Sequence, residues 1–391
     1  MTTRQISAPA STGWLGAALA VAAVGWGANQ FAPLLLLYRA ELGLSAAVVN
    51  AAFGLYAVGL VPGLFVGGPL SDRYGRRPVV LAGLVASLVA SVLLIVGGAE
   101  GVPWLFAGRL VAGFASGAAF SSGAAWIKEL SPERAGARRA TVAMTAGFAG
   151  GPLVAGVLAY AAPLPTTLPY LPHLLLILLA VAPACRARET RAVNRAAGLR
   201  IVGVTDRRFL GVVVPLAPWV FGSASVALAY LPGLVGARLG GAGLLLAALF
   251  ISLGALAGIV VQPLARRIDD PGRPRRLLTA AAVSVVGGLL VAVLAAATID
   301  TAAGVVIAMV AMVVLGAAYG VCQVCGLLEV TRLAAPDGLA GLTAVFQALS
   351  YVGFAVPYVL AELDAAAPPA VLLLGVAALA AVMLAWSTWR A

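Results

Sequence analysis

The chain has little of what most protein chemistry requires. Only 10% of its 391 residues are charged and 62% are hydrophobic, whereas soluble domains carry about 25% and about 45 to 50%. There is one histidine, His173, which excludes H-E-x-x-H and histidine-rich metal sites. There is one lysine, Lys128, in Trp126-Ile127-Lys128-Glu129. No Walker A loop, G-x-x-x-x-G-K-[ST], can therefore be written, and direct use of ATP is excluded. The three cysteines, Cys185, Cys322 and Cys325, form no disulfide framework. Cys322 and Cys325 make a C-x-x-C inside an apolar stretch with no second pair to complete a zinc site, and are expected to pack against neighbouring helices. The longest polar stretch, residues 186–208, is too short for a folded core. No convergent nucleophile or acid–base pair falls in the apolar stretches, so neither an enzyme nor a cofactor is expected.

What the chain does have is twelve apolar segments, at residues 13–37, 47–69, 78–98, 103–126, 139–163, 169–185, 209–232, 239–261, 277–297, 302–327, 339–361 and 368–388. Most reach the ~20 residues that cross a ~30 Å hydrocarbon layer as a helix. If all twelve cross, 22 of the 25 basic residues fall on one side; only Arg39 and Arg238 fall on the other, and Arg109 lies inside the fourth segment. The positive-inside rule then places both termini in the cytoplasm. A miscounted crossing would invert the pattern downstream, so its regularity supports the even count. The net charge of +11 is spread over short loops facing anionic headgroups, which argues against nucleic acid as a partner. The first segment exceeds the 7 to 15 residues of a signal-peptide core and is expected to remain as a helix. The expected fold is an all-α integral membrane protein of the cytoplasmic membrane.

The arginine-rich stretch 186–208 separates six segments from six, and the halves repeat. Pro69-Leu70-Ser71-Asp72-Arg73-Tyr74, followed by Gly75-Arg76, has a degenerate partner in Pro263-Leu264-Ala265-Arg266-Arg267-Ile268, followed by Gly272-Arg273. Gly113-Phe114-Ala115-Ser116-Gly117 matches Gly316-Ala317-Ala318-Tyr319-Gly320, 203 residues later. Such repeats mark secondary transporters, whose site lies between the halves. The expected organisation is an N-terminal six-helix bundle at 1–185, a cytoplasmic linker at 186–208 and a C-terminal six-helix bundle at 209–391.

With Gly68-Pro69-Leu70-Ser71-Asp72-Arg73-Tyr74-Gly75-Arg76-Arg77 between its second and third segments, the chain resembles the major facilitator superfamily over nearly its whole length. The stretch fits that family's signature, G-x-x-x-D-[RK]-x-G-R-[RK], at every fixed position. The resemblance implies two bundles rocking about a central cavity, a monomeric working unit, and a small-molecule substrate driven by an ion gradient or by its own. Read physically, Gly68 is expected to let the second helix approach a neighbour, and Gly75 to permit a left-handed turn. Asp72 is placed to pair with an arginine and to meet the positive end of another helix. The resemblance makes that helix the eleventh, near Leu339, and the contact a latch of the outward-open state. Arg73, Arg76 and Arg77 belong either to this device or to a basic topological anchor.

Arg109 with Gly113 and Gly117 resembles the family's R-x-x-x-G motif, with Ala112 where glutamine is usual. A central arginine costs about 2.5 to 3.5 kcal/mol on insertion scales. Arg109 therefore serves proton or substrate coupling, or else snorkels or bonds backbone carbonyls. In the fifth segment Gly147-Phe148-Ala149-Gly150-Gly151-Pro152-Leu153-Val154-Ala155-Gly156 resembles the antiporter signature G-x-x-x-G-P-x-x-G-G, with Ala155 replacing one glycine. Gly147 and Gly151 share a face, and Pro152 bends the helix. The resemblance points to an exporter, although a G-x-x-x-G by itself marks only packing.

Polar and aromatic residues inside segments are candidates for the cavity lining: Trp26, Asn29 and Gln30; Ser121, Ser122 and Trp126; Trp219, Ser223 and Tyr230; Tyr319 and Gln323; Gln347 and Tyr351. Each could equally serve an interhelical hydrogen bond. Pro215, Pro218 and Pro232 are expected to interrupt the seventh helix as a gate. Candidates for coupling are Arg109, Asp72, Glu129 and Glu329, with His173 as a further group, read also as an interfacial residue beside Tyr170. One proton crossing 100 mV supplies about 2.3 kcal/mol, so one such group could power export. The expected function is proton-linked export of small apolar or cationic organic molecules, drug-like or metabolite. The alternative is an importer or facilitator of a sugar, amino acid or organic acid.

Overall fold

The computed structural model describes residues 13–190, 201–239, 241–270, 272–273, 275–335 and 338–391. Arg4, Arg191, Arg195, Arg200 and the middle of the expected linker lie outside the described residues. Twelve helices are long and apolar enough to cross a membrane: α1 Gly13–Glu41, α2 Ala46–Tyr74, α3 Arg76–Glu100, α4 Val102–Glu129, α5 Ala135–Ala161, α6 Leu168–Arg186, α7 Phe209–Gly236, α8 Ala242–Ile268, α9 Arg275–Ala297, α10 Ala302–Leu333, α11 Gly341–Leu363 and α12 Pro369–Arg390. The protein is a multi-pass membrane protein. Each expected segment is present, and α2, α8 and α10 continue past their apolar runs to carry Asp72, Arg266, Arg267, Glu329 and Arg332. Polar caps set two of the starts. The Ser45 hydroxyl accepts from the Val48 amide at 3.2 Å before α2, and the Thr301 hydroxyl from Gly304 at 3.0 Å before α10.

One buried apolar cluster is built mainly from α1 to α6 and another from α7 to α12. Within each, two helices interlock through glycine. In the first half a methyl group on Gly59 or Gly63 of α2 would strike the carbonyls of Leu110 or Phe114, and one on Gly113 or Gly117 of α4 those of Tyr56 or Leu60. In the second half Gly254 and Gly258 of α8 meet Met312 and Gly316, while Gly316 and Gly320 of α10 meet the carbonyls of Gly254 and Gly258. The repeat legible as Gly113/Gly117 and Gly316/Gly320 is thus one reciprocal backbone contact made twice, the kind that lets membrane helices associate without a hydrophobic drive.

The halves meet away from the end that carries the arginine-rich loops, here termed the basic end. Gly156 of α5 abuts Ala248 of α8, and Gly236 of α7 abuts Leu36 of α1. Phe53 of α2 stacks on Phe354 of α11 with centroids 4.9 Å apart.

Several helices are irregular along their length, among them α8, interrupted at Val261 between Gly241–Val260 and Gln262–Ile268. α1 is interrupted at Gln30, between helical stretches Gly13–Asn29 and Phe31–Glu41. α7 keeps its ladder, contrary to the expected interruption, by widening into π-helical turns at Phe209–Val213 and Val226–Tyr230. Each widened turn precedes a proline, Pro215 or Pro232, whose ring would otherwise clash with the carbonyl four residues back. α11 tightens into a 3-10 turn at Val352–Ala355 ahead of Pro357.

Candidate functional site

The residues singled out by sequence converge on two places, a charged clasp at the basic end and the interrupted stretch of α1.

In the clasp, Gly75 ends α2 and starts α3 at φ 106°, ψ 158°, a conformation open essentially only to glycine. Its amide closes α2 on the Ser71 carbonyl at 3.0 Å. The exposed amides of Arg76 and Arg77 are then both bound by the Glu189 carboxylate at 2.9 Å, an acid at a helix N-terminus as the dipole favours. Arg76 is nearly buried and joins Asp72 at 2.9 Å, the Ser71 hydroxyl at 2.5 Å and Glu129 at 3.2 Å. Arg77 donates to the Cys185 carbonyl at 3.1 Å, and Arg73 lies over the Tyr74 ring at 5.2 Å. Arg76 and Arg77 are thus structural ties.

Gly68 departs from expectation. A methyl group there meets nothing within 4 Å, and the close approach to α4 is made by Gly67, against Ala118 Cα at 2.5 Å. The helical turn places Gly67, not its neighbour, on the inner face. Trp126 is fully buried and binds the Arg188 carbonyl at 2.9 Å, so it anchors the start of the linker rather than lining a cavity. Glu129 also meets the Thr190 hydroxyl. In the other half Glu329, 1% exposed, is gripped by Arg208 at 2.9 Å and Arg332 at 2.5 Å, and Arg332 also pairs with Asp269 at 2.5 Å. Both glutamates proposed for coupling are engaged by arginine. Gly75→Val should cost about 1 to 3 kcal/mol through its backbone conformation alone. Thermal unfolding in detergent measures this, and an unchanged midpoint would contradict it.

The second place is α1 from Ala22 to Phe31, held from several sides. From α5, a methyl on Gly147 would enter the Ala22 carbonyl, one on Gly151 would lie 2.7 Å from the Trp26 carbonyl, and one on Gly150 would lie 3.2 Å from the Trp26 ring. Two glycines of the antiporter-like stretch therefore seat α1, Pro152 follows them directly, and Gly156 turns to α8 in the other half. From α4, Arg109 is 1% exposed and donates to the carbonyls of Ala28 at 3.2 Å, Ala52 at 3.3 Å and Phe53 at 3.5 Å. Its guanidinium sits between the rings of Phe31 and Tyr56, 4.6 and 4.7 Å from their centroids. Among the described residues its partners are carbonyls and rings, not carboxylates. Of the readings open in the sequence, carbonyl bonding is the one realised, and the side chain does not snorkel.

From α3 and α6 come Ser87, Ser91 and His173, which the sequence did not connect. His173 is fully buried rather than interfacial, because α6 turns it inward onto α1. Gln30 likewise points away from the cavity, to the Ser91 hydroxyl at 2.9 Å.

Two more lining candidates are elsewhere. Ser122 bonds the carbonyls of Ala118 and Gly67, and Ser223 that of Trp219, so both hydroxyls are buried in helix ladders. Trp26, Asn29, Tyr319, Gln323, Gln347 and Tyr351 are half-buried. Asn29 reaches the Phe148 carbonyl at 3.4 Å. Phe221, which sequence reasoning passed over because a phenylalanine in a membrane helix carries no signal, stacks on Tyr351 at 4.1 Å and meets Tyr319 and Phe354 at 5.3 and 5.2 Å. The indole nitrogens of Trp26 and Trp219, the Tyr230 hydroxyl and the Gln323 carbonyl oxygen are buried with no hydrogen-bond partner among the described residues. Such groups are where a bound solute gains its polar contacts.

Comparison with known proteins places this architecture. A 103-residue stretch is 31% identical to the multidrug resistance protein MdtL of Escherichia coli (strain K12 / DH10B), and 102 residues are 31% identical to MdtL of Klebsiella pneumoniae (strain 342). The matches span about a quarter of the length of those relatives and 26% of this chain. Among solved structures, the nucleoside transporter NupG superposes with a TM-score of 0.76 at 13% identity, over 96% of this chain and 98% of that one. A POT family transporter in complex with 5-aminolevulinic acid gives 0.72 at 14%, over 98% and 96%. At such identities the likeness speaks for the fold alone. Residues 15–357 match the profile of the Major Facilitator Superfamily; with twelve crossing helices and a glycine contact repeated in each half, the chain belongs to that superfamily and is a membrane transporter, not an enzyme.

Proposed function

We propose that the protein exports small apolar or cationic organic molecules across the cytoplasmic membrane in exchange for protons, by alternating access. Both termini lie in the cytoplasm, residues 1–185 and 209–391 are the moving bodies, 186–208 links them, and the monomer works without a cofactor. The observation that carries this reading is the face of α5, where Gly147 and Gly151 seat the interrupted α1 and Gly156 touches α8 of the other half. A helix that is smooth where it meets α8 of the other body, and that lacks a backbone donor at Pro152, lets that body slide against it. The aromatic group of Phe221, Tyr319, Tyr351 and Phe354 suits flat, greasy solutes, and the partial relatives named as multidrug resistance proteins agree. Asp72 latches the basic end against the N-terminal end of α11 in the outward-open state. An importer of a polar nutrient would use Arg109 to grip it, but that guanidinium is already engaged by three carbonyls and two rings.

Cells loaded with ethidium and carrying the protein should lose the dye faster when an inward proton gradient is imposed, and a protonophore should abolish the difference. Asp72→Ala should slow this loss severalfold. Unchanged loss across a broad panel of dyes, together with counterflow of a labelled nutrient, would overturn export.

A further inference from the structure

His173, the only histidine in the chain, sits where α1, α3 and α6 meet. Gly27 makes room for it, since a methyl there would lie 2.6 Å from Nε2 and 2.8 Å from the Ser87 hydroxyl. Nε2 faces the Ala23 carbonyl at 3.0 Å. A carbonyl only accepts, so Nε2 carries the hydrogen and Nδ1 is the acceptor in the neutral ring. Nδ1 lies 2.7 Å from the Ser91 hydroxyl, and Ser91 in turn lies 2.9 Å from the Gln30 amide nitrogen. The chain of donors therefore runs Gln30 to Ser91 to His173 to Ala23. One atom is left over: Gln30 Oε1 is buried without a partner among the described residues. A buried acceptor of this kind costs about 1 to 3 kcal/mol.

We propose that His173 takes up the transported proton and that Gln30 is the positioning residue that receives the change. When Nδ1 gains a proton it becomes a donor to the Ser91 oxygen, and the Ser91 hydroxyl must turn to a new acceptor. Half a turn of the Gln30 amide presents Oε1 to it. The donor sequence between Gln30 and His173 reverses and the orphaned oxygen gains a donor, while the amide nitrogen gives up Ser91 and Nδ1 and turns to the place Oε1 held. The added charge meets only neutral groups from the packed elements: Gln30 and the Ala23 carbonyl from α1, and Ser87 and Ser91 from α3. Tyr170, three residues before His173 on α6, pairs with Tyr38 at 2.7 Å further from the basic end. The nearest cation along this part of α1 is Arg109, which holds the carbonyl of Ala28, two residues before Gln30. Gln30 is also the residue at which α1 is interrupted, next to Asn29, which bonds the Phe148 carbonyl of α5. Protonation thus acts where the two stretches of the helix that α5 seats adjoin, which is how a proton would bias the two conformations.

This inference rests on the reading of the transporter as proton-linked, but its principal test needs no substrate. Full-length protein carrying nitrogen-15 only in histidine, purified without a histidine tag and placed in lipid nanodiscs, gives resonances from His173 alone. At pH 8 the ring should be the Nε2–H tautomer, and it should become doubly protonated on titration to pH 5. Gln30→Met should lower the midpoint by about one pH unit, roughly tenfold in proton affinity. A ring that stays singly protonated to pH 5, or a midpoint unmoved by Gln30→Met, would overturn the proposal while leaving export untouched. In proteoliposomes, His173→Gln should keep downhill ethidium flux and lose its acceleration by a proton gradient. Retained acceleration would equally overturn it.

Discussion

Gly151→Leu should reduce proton-driven ethidium loss about ten- to a hundredfold while leaving the protein folded and in the membrane. The Cβ of any residue at 151 would lie 2.7 Å from the Trp26 carbonyl oxygen and 3.2 Å from Trp26 Cα. Both are backbone atoms of α1, so no rotamer change relieves the contact and the helices must part. Overpacking of this kind costs about 1 to 3 kcal/mol. Trp26 and the α1 stretch around it are pushed off α5, and where that displacement fits one conformation of the transporter worse than the other by this amount, the balance between them shifts by about ten- to a hundredfold. The contrast is Gly68→Ala, which meets open space and gains up to about 1 kcal/mol of helix propensity. It should transport like the parent protein, although Gly68 is a fixed position of the loop signature. A silent Gly151→Leu or a dead Gly68→Ala in the dye-loss assay would show that the α1–α5 contact is not where the movement is resisted.

Arg109→Ala should lower stability by about 3 kcal/mol or more, the largest effect expected of any single side chain here. Removing so large a buried group leaves a cavity costing about 2 to 5 kcal/mol. It also strips a donor from carbonyls of α1 and α2, which Arg109 ties to α4. Arg109→Lys should recover less than half of the loss. An ammonium keeps the charge, but it lacks the planar fork that reaches carbonyls on two helices and stacks between Phe31 and Tyr56. Thermal unfolding in detergent compares the three proteins. Full rescue by lysine would mean that charge alone, facing a wet cavity, is what the position supplies.

The membrane fold was legible because its signals are coarse and one-dimensional. Segment length, loop arginines and the Gly113/Gly316 repeat each survive uncertainty of a few residues, and the structure places helices within a few residues of those expected. The site was legible only in part, because facing direction depends on angles that hydropathy leaves open. Gly67 and Gly68 are adjacent, yet only Gly67 touches α4. Asn29 and Gln30 are adjacent, yet one faces α5 and the other Ser91. A break in α1 separates those last two, and Pro33, which can offer no N–H to the Asn29 carbonyl four residues back, is the mark of it in the sequence. Glu189 shows a different gap. Its role in capping α3 joins residues 113 positions apart, and a glutamate in an arginine-rich linker reads as solvated. His173 was visible as a lone polar group in an apolar run, but Ser87 and Ser91, which give it meaning, look like ordinary small residues of a membrane helix.

On the proposed mechanism, two bodies open by turns to opposite faces as protons bind. Spin-label distances test this without a substrate, in a background where Cys185, Cys322 and Cys325 are replaced by serine. One pair, Ala137→Cys with Arg266→Cys, spans the halves at the basic end; the other, Ala40→Cys with Ala365→Cys, spans them at the opposite end, and all four positions are exposed. Between pH 8 and pH 5 in nanodiscs, the two distances should change in opposite senses. Distances that lengthen or shorten together, or that ignore pH, would contradict it.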